Sequence, residues 1–197
     1  FWFLSLPAIY MKPHKVRHLF TIKAYVCPAC GIAFLVWTIV KAGGIGPVVH
    51  QKSSLTGSEF GWEFVNSVMN CLANFATLIV NAPDFSRMAK TKNSAIWSQL
   101  ITIPLSFSVT CLIGVLISSA STVMYGETYW NPLDVLSRFL DGYSRGDRAG
   151  VFLIAFGFAI AQLGTNISAN SISAGTDMTA LLPKYLNIRR GGFICAC

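Results

Sequence analysis

Charge is what this sequence has least of. Only 12% of its 197 residues are Asp, Glu, Lys or Arg, about half the share of a soluble domain. Acids are the scarcer sign, 8 against 15 basic residues, for a net charge of +7. The three histidines, His14, His18 and His50, have no metal-ligand spacing, so the chain shows no motif for holding a metal. The Walker phosphate loop, the Gly-x-Ser-x-Gly elbow and the His-Glu-x-x-His helix are missing from the sequence as well. Their absence, with no visible nucleophile–base pair, leaves ATP-driven pumping and enzyme chemistry without support and calls for no cofactor. No internal repeat or low-complexity stretch occurs, and Phe1–Tyr10 lacks the basic region and cleavage site of a signal peptide.

Cysteine offers no framework either. Cys71, Cys111, Cys195 and Cys197 lie in apolar runs, which implies no disulfide scaffold. Cys27-Pro28-Ala29-Cys30 has the spacing of a redox pair, but it sits inside an apolar block rather than at the start of a soluble helix. Its thiols read as small hydrophobes and Pro28 as a kink.

What the chain has is apolar residues in long runs: 53% of the total, with a mean hydropathy of +0.55. Spans are expected at 24–41, 62–83, 94–124 and 149–182, with partial spans at 1–10 and 191–197. Each full block approaches or exceeds the ~20 residues that cross ~30 Å of hydrocarbon. The fold class is therefore an all-α polytopic membrane protein, and the lipid bilayer is its first partner. The chain starts at Phe1 without Met and stops soon after an apolar run begins, so it reads as a stretch of a longer protein.

The basic residues collect in alternate connections. Segments 11–23, 84–93 and 183–190 carry Lys12, Lys15, Arg17, Lys23, Arg87, Lys90, Lys92, Lys184, Arg189 and Arg190, with Asp84 the one acid among them. The intervening connections are mixed in sign. Threaded as alternating spans, the basic segments fall on one side, which the positive-inside rule makes the cytoplasm. That placement also accounts for the net charge without nucleic acid as a partner.

Two spans are unusually polar. Block 62–83 holds Asn66, Asn70, Asn74, Thr77 and Asn81, and block 149–182 holds Gln162, Thr165, Asn166, Ser168, Asn170, Ser171 and Ser173. Unpaired amides are costly in hydrocarbon, so these faces meet either a partner helix or a wet, ligand-holding cavity. Gln162, Asn166 and Asn170 share one face of a regular helix. Asn170 both donates and accepts, which suits the edge of an amide-containing ring. At the end of block 62–83, Pro83 is expected to stop the helix, with Asp84 and Arg87 pairing or capping at the surface.

Several motifs stand in order: His18-Leu19-Phe20-Thr21, Gly46-Pro47, Asn81-Ala82-Pro83-Asp84-Phe85-Ser86-Arg87, Tyr129-Trp130-Asn131-Pro132, Gly164-Thr165-Asn166-Ile167-Ser168-Ala169-Asn170, and Asn187-Ile188-Arg189-Arg190-Gly191-Gly192. Together they resemble the nucleobase:cation symporter-1 family, in its fungal uracil, allantoin and uridine permease branch. The resemblance implies a stretch, about helices four to nine, of a twelve-helix, LeuT-like inverted-repeat transporter with its site near the midplane between broken helices. It implies a small heterocyclic substrate and a plasma-membrane location. By resemblance, Asn170 hydrogen-bonds the substrate ring, Phe75 stacks on it, and Asn74 lies at the helix break beside Phe75. Ala161, Gly164 and Thr165 match a sodium site of a bacterial relative, where Gly164 replaces a hydroxyl residue. One oxygen ligand is thereby lost, so proton rather than sodium coupling is expected. Asp177 lies just past these positions as an interfacial charge. Part of the implied site belongs to helices outside this chain, which would not transport alone. A membrane receptor binding a similar solute without moving it needs the same pocket and stays open as the second reading.

The orientation is testable in the full-length protein with its native cysteines replaced. A thiol introduced by Gly44→Cys should react with an impermeant maleimide on intact cells, and one introduced by Lys184→Cys only after permeabilisation. The reverse pattern would invert the topology.

Overall fold

A computed structural model describes residues 2–10, 13–52, 55–73, 76–86, 89, 91–142 and 144–196, and every regular element among them is helical. The order is α1 (Trp2–Tyr10), α2 (Pro13–Ala42), a 3-10 turn (Pro47–Val49), α3 (Gly57–Ala73), α4 (Ala76–Ser86), α5 (Lys92–Tyr125) and α6 (Pro132–Arg138). Then come α7 (Arg145–Asn166), a π turn (Ile167–Ile172), α8 (Ser173–Leu181) and α9 (Ile188–Ala196). Three stretches among the described residues are long and apolar enough to cross a membrane: Val16–Ala42, Lys92–Tyr125 and Arg145–Leu181, of 27, 34 and 37 residues. At 1.5 Å per residue the shortest is about 40 Å long. The chain is an integral membrane protein of the all-α, polytopic class.

Residues 13–23, read from sequence as a connecting loop, are the first turns of α2. Charge marks where a helix leaves hydrocarbon, not where it ends, so it misplaces the helix start. Pro83 likewise does not stop its helix. It lies inside α4, which continues to Ser86, and the Ser86 hydroxyl donates to the Pro83 carbonyl at 3.4 Å. Proline removes one N–H donor, which a helix tolerates close to its end. The pairing expected between Asp84 and Arg87 lies outside the described residues.

The described residues divide into two compact units. The first contains α2, the 3-10 turn, α5 from Gln99, α6, and α7 as far as Thr165. Its apolar core is Phe34, Ile117, Val135, Leu136, Phe139 and Ile154. Short α6 supplies Val135 and Leu136, and Phe139 follows directly, so one amphipathic turn fills the space among three longer helices. The Phe139 ring meets Phe34 and Trp37 edge-on, at centroid distances of 6.2 and 4.7 Å. The Tyr129-Trp130-Asn131-Pro132 motif acquires a local role here. Asn131 caps α6, its Oδ1 accepting from the Leu133 N–H at 3.1 Å, and Pro132 takes the first helical position.

The buried serines near the end of α5 hold two loops. Ser121 Oγ accepts from the Tyr129 N–H at 3.0 Å, and Ser118 Oγ donates to the Tyr129 carbonyl at 3.0 Å. Ser119 Oγ accepts from the Val48 N–H at 3.1 Å. Gly46, at φ 87°, packs against the Ser119 backbone where a Cβ would collide. Only glycine accommodates both that backbone angle and that approach.

Helix α7 meets α2 through a regular row of glycines. A Cβ on Gly150 would lie 2.9 Å from the Trp37 ring, one on Gly157 would overlap Cys30 Sγ, and one on Gly164 would lie 2.8 Å from Lys23 Cδ. The glycines advance by seven residues while their partners retreat by seven, as two antiparallel helices in heptad register require. In a bilayer such small-residue seams let backbones come close enough for dispersion to hold them. Cys30 is thus a packing residue, and both Cys27 and Cys30 are free thiols. At one end of α2, Lys41 pairs with Asp147 of α7 at 3.0 Å and sits 4.5 Å from the Phe139 ring centroid.

The second unit contains α1, residues 51–98 with α3 and α4, and residues 166–197 with the π turn, α8 and α9. Its tightest packing lies between α8 and α9. A Cβ on Gly175 would strike the Ile188 carbonyl, and one on Gly191 would lie 2.8 Å from Gly175 Cα. Gly192 faces Ile9 of α1 and the Ser171 carbonyl of the π turn.

The heptad seam makes a specific demand. Gly157→Leu should destabilise the full-length protein by about 1–3 kcal/mol, the usual cost of overpacking, read as a lower melting temperature in detergent. Cys30→Ala in the same molecule should recover part of the loss, because the two changes share one contact. Additive effects would remove that contact from the seam.

Candidate functional site

The polar segment of the third span departs from α-helical geometry where its amides lie. Gln162, Asn166 and Asn170 were expected to share one face of a regular helix; Gln162 and Asn166 are in α7, but Ile167–Ile172, with Asn170, forms a π turn. A π turn places one extra residue in the circuit and leaves the i→i−4 ladder locally unmade, and such turns gather at functional positions. Across it, Asn170 Nδ2 donates to Asn166 Oδ1 at 2.7 Å. Asn170 is exposed and Asn166 half-buried. This bond occupies one N–H of Asn170 and orients its carboxamide. A carboxamide carries a second N–H and an Oδ1 as well, a donor and an acceptor side by side.

The turn is braced from behind. Ile167 and Ser171 are buried. Ser173 Oγ donates to the Ser168 carbonyl at 3.5 Å and Thr176 Oγ1 to the Ile172 carbonyl at 2.9 Å. Gly192 of α9 supports it at the Ser171 carbonyl while Gly191 packs on Gly175 of α8, and Asn187 starts α9 by accepting the Arg190 N–H at 3.0 Å. The Asn187–Gly192 motif is therefore a cap followed by a docking surface. Asp177 is exposed and opens no ion pair among the described residues.

In the first unit, Ala161, Gly164 and Thr165 of α7 come together on one helical turn. Thr165 Oγ1 donates to the Ala161 carbonyl at 2.9 Å. Lys23 Nζ of α2 donates to the same Thr165 Oγ1 at 2.6 Å. Gly164 is buried, and its missing Cβ leaves the space that the Lys23 stem occupies. Lys23 was overlooked in the sequence because it bounds an apolar block and so reads as a loop charge. The available signal was its distance of seven residues from Cys30, matching that between Gly157 and Gly164. The structure brings Asn170 to Asn166, and Lys23 to Thr165. Asn74 and Phe75, expected at a helix break, lie outside the described residues, between α3 and α4. Among the described residues no group of His, Cys, Asp and Glu could hold a metal ion.

The chain matches a family model described as permease for cytosine/purines, uracil, thiamine, allantoin over residues 1–197. It is 54% identical to a uracil permease of Saccharomyces cerevisiae over 100% of the chain, and 55% identical to an allantoin permease of that yeast over 99%. A Bacillus subtilis allantoin permease is 32% identical over 100% of the chain. The chain spans 31% of the length of each yeast permease and 39% of the bacterial one. No solved structure matches it.

The close packing behind the π turn predicts a sharp sensitivity. Gly175→Ala should lower the melting temperature of the full-length protein by the equivalent of about 1–3 kcal/mol, since the obstacle is a backbone carbonyl that cannot rotate aside. Gly142→Ala, where a Cβ meets nothing within 4 Å, should leave it unchanged. Equal behaviour of the two variants would refute the packing argument. Composition, helical spans and a family match over residues 1–197 agree, and the chain belongs to the permease family for cytosine/purines, uracil, thiamine and allantoin.

Proposed function

We propose that the protein containing this chain is a secondary active transporter, a permease that imports a nucleobase or related heterocycle of the uracil, allantoin or uridine type across the plasma membrane. The observation that carries the reading is the Asn166–Asn170 pair across a π turn, within the uncharged stretch 149–176. Hydrocarbon offers nothing to the donor and acceptor that Asn170 presents, whereas the edge of a cyclic amide or imide offers both partners at once. In this reading, by the family resemblance, Phe75 is the stacking platform and Asn74 its neighbour in the site. The names of the yeast relatives, uracil, allantoin and uridine permeases, support this substrate class.

Movement follows the alternating-access scheme, in which helix bundles rearrange around a midplane site. The coupling ion is a proton. Gly164 offers no side-chain oxygen, and a hard metal cation needs a full oxygen set.

In the full-length protein, Asn170→Ala should reduce uptake of the radiolabelled substrate by about 100-fold or more, as expected when a polar site loses its partner, with surface expression intact by biotinylation. Normal uptake by that variant removes Asn170 from the site. Counterflow in proteoliposomes separates this function from that of a receptor, which would bind the ligand without exchanging it. A competition panel of uracil, allantoin and uridine against one label then identifies the solute.

A further inference from the structure

The connection between α8 and α9 carries three cations at the place where a span ends. The apolar stretch Arg145–Leu181 stops at Leu181, and α9 begins at Ile188. Lys184, Arg189 and Arg190 are all exposed. The sequence holds no acid between Met178 and Cys197, and among the described residues no carboxylate pairs with any of the three. The acid just before them, Asp177, is exposed as well.

This connection is a closed turn. The Leu182 N–H donates to the Met178 carbonyl at 3.0 Å, and the Leu182 carbonyl accepts from the Tyr185 and Leu186 N–H groups at 3.1 and 3.0 Å. Arg190 Nη1 donates to the Tyr185 carbonyl at 2.9 Å, which ties α9 back to the turn. The Arg189 guanidinium lies 6.0 Å from the Tyr10 ring centroid, and Lys184 Nζ lies 5.9 Å from that of Tyr185. Both rings are largely exposed, as are Leu181 and Leu182. Cations thus stand among bare aromatic and aliphatic side chains where α8 leaves hydrocarbon. Water suits the cations but not Leu181, at 79% exposure, and hydrocarbon suits the leucine but not the cations. The bilayer interface offers acyl carbon and phosphate oxygen together, and so satisfies the whole surface.

We propose that the α8–α9 connection binds the headgroup of an anionic phospholipid. Lys184, Arg189 and Arg190 pair with its anionic oxygens, while Leu181, Leu182 and Tyr185 enter the acyl boundary beside it. The positive-inside rule puts this connection at the cytoplasmic leaflet, where anionic lipids concentrate. The hydrogen-bonded turn holds its cations in place before lipid arrives, so little ordering entropy opposes binding. Each arginine offers a planar fork of N–H donors that matches a phosphate. Because Gly175 of α8 packs on the Ile188 carbonyl of α9, the lipid contact fixes that corner to the membrane surface.

Phosphatidylserine with a fluorescent acyl chain is titrated into the purified full-length protein in neutral detergent, with phosphatidylcholine of the same chains as reference. The wild type should bind phosphatidylserine saturably and about tenfold or more tightly than phosphatidylcholine, a preference that shrinks in raised salt. The double variant Lys184→Gln/Arg189→Gln keeps the Arg190 bond to Tyr185, and with it the tie across the turn. It should bind phosphatidylserine about 25-fold more weakly, at about fivefold for each cation, with phosphatidylcholine binding unchanged. An unaltered preference in the folded double variant would refute the assignment. Should that variant not fold, Lys184→Gln alone decides: a loss of about fivefold supports the proposal, and unchanged affinity overturns it. Equal affinity of the wild type for the two lipids would mean that another part of the protein covers the surface, and would overturn it too. Displacement of the labelled lipid by inorganic phosphate at constant ionic strength would do the same, by revealing a soluble-anion site. Uptake plays no part in the test, so its outcome is separate from that of the transport reading.

Discussion

A polar atom within hydrocarbon has only the protein to bond with, and this constraint organises the chain. Hydroxyls meet it locally. Thr38 donates to the Phe34 carbonyl at 2.8 Å, Thr110 to Ser106 at 2.7 Å, Ser98 to Ser94 at 2.5 Å and Thr179 to Gly175 at 2.6 Å. Each reaches one turn back along its own helix and asks nothing of a neighbour. Among the described residues no buried side-chain nitrogen or oxygen lacks a partner. A carboxamide is bulkier and carries two kinds of polar atom, so one backbone carbonyl does not satisfy it. Asn170 and Asn166 turn to each other, and the helix adopts a π turn where they do so.

The same constraint explains why glycine recurs at helix contacts. Lipid provides little drive for apolar surfaces to separate from it, so helices adhere through close backbone approach. Gly150, Gly157 and Gly164 meet a tryptophan, a cysteine and a lysine in turn. The seam thus grades from aromatic packing near the Lys41–Asp147 pair to a charged, hydroxyl-bound contact at Thr165. In the second unit Gly175, Gly191 and Gly192 perform the equivalent task over a shorter distance.

The three long apolar helices were legible because charge is scarce in them, a property of composition that needs no contact information. The element ends were less so: α2 begins ten residues before Lys23, and α4 outlasts Pro83. Interfacial water tolerates both a charged helical turn and a missing N–H. Asn170 stood out as an amide at bilayer depth, yet the π turn did not, because one extra residue per circuit leaves no trace in hydrophobic periodicity. Pooling hydroxyls with amides also overstated how polar the third span is toward its surroundings. Lys23 escaped notice for a different reason. Its significance lies in a register between two helices far apart in the chain, and a single sequence displays no such pairing. Motifs read as marks of kinship, Tyr129–Pro132 and Asn187–Gly192, also have local structural roles: caps, a proline start and glycine docking.

The serines at the end of α5 have a mechanical consequence. Ser118 and Ser121 grip the strand of chain leading into α6, and Ser119 grips the 3-10 turn that follows α2. These attachments are hydrogen bonds to backbone atoms, indifferent to the side chains that the two loops carry. This end of the unit is therefore a brace: Gly46, Asn131 and Pro132 apart, its surface side chains can vary while its joints stay put.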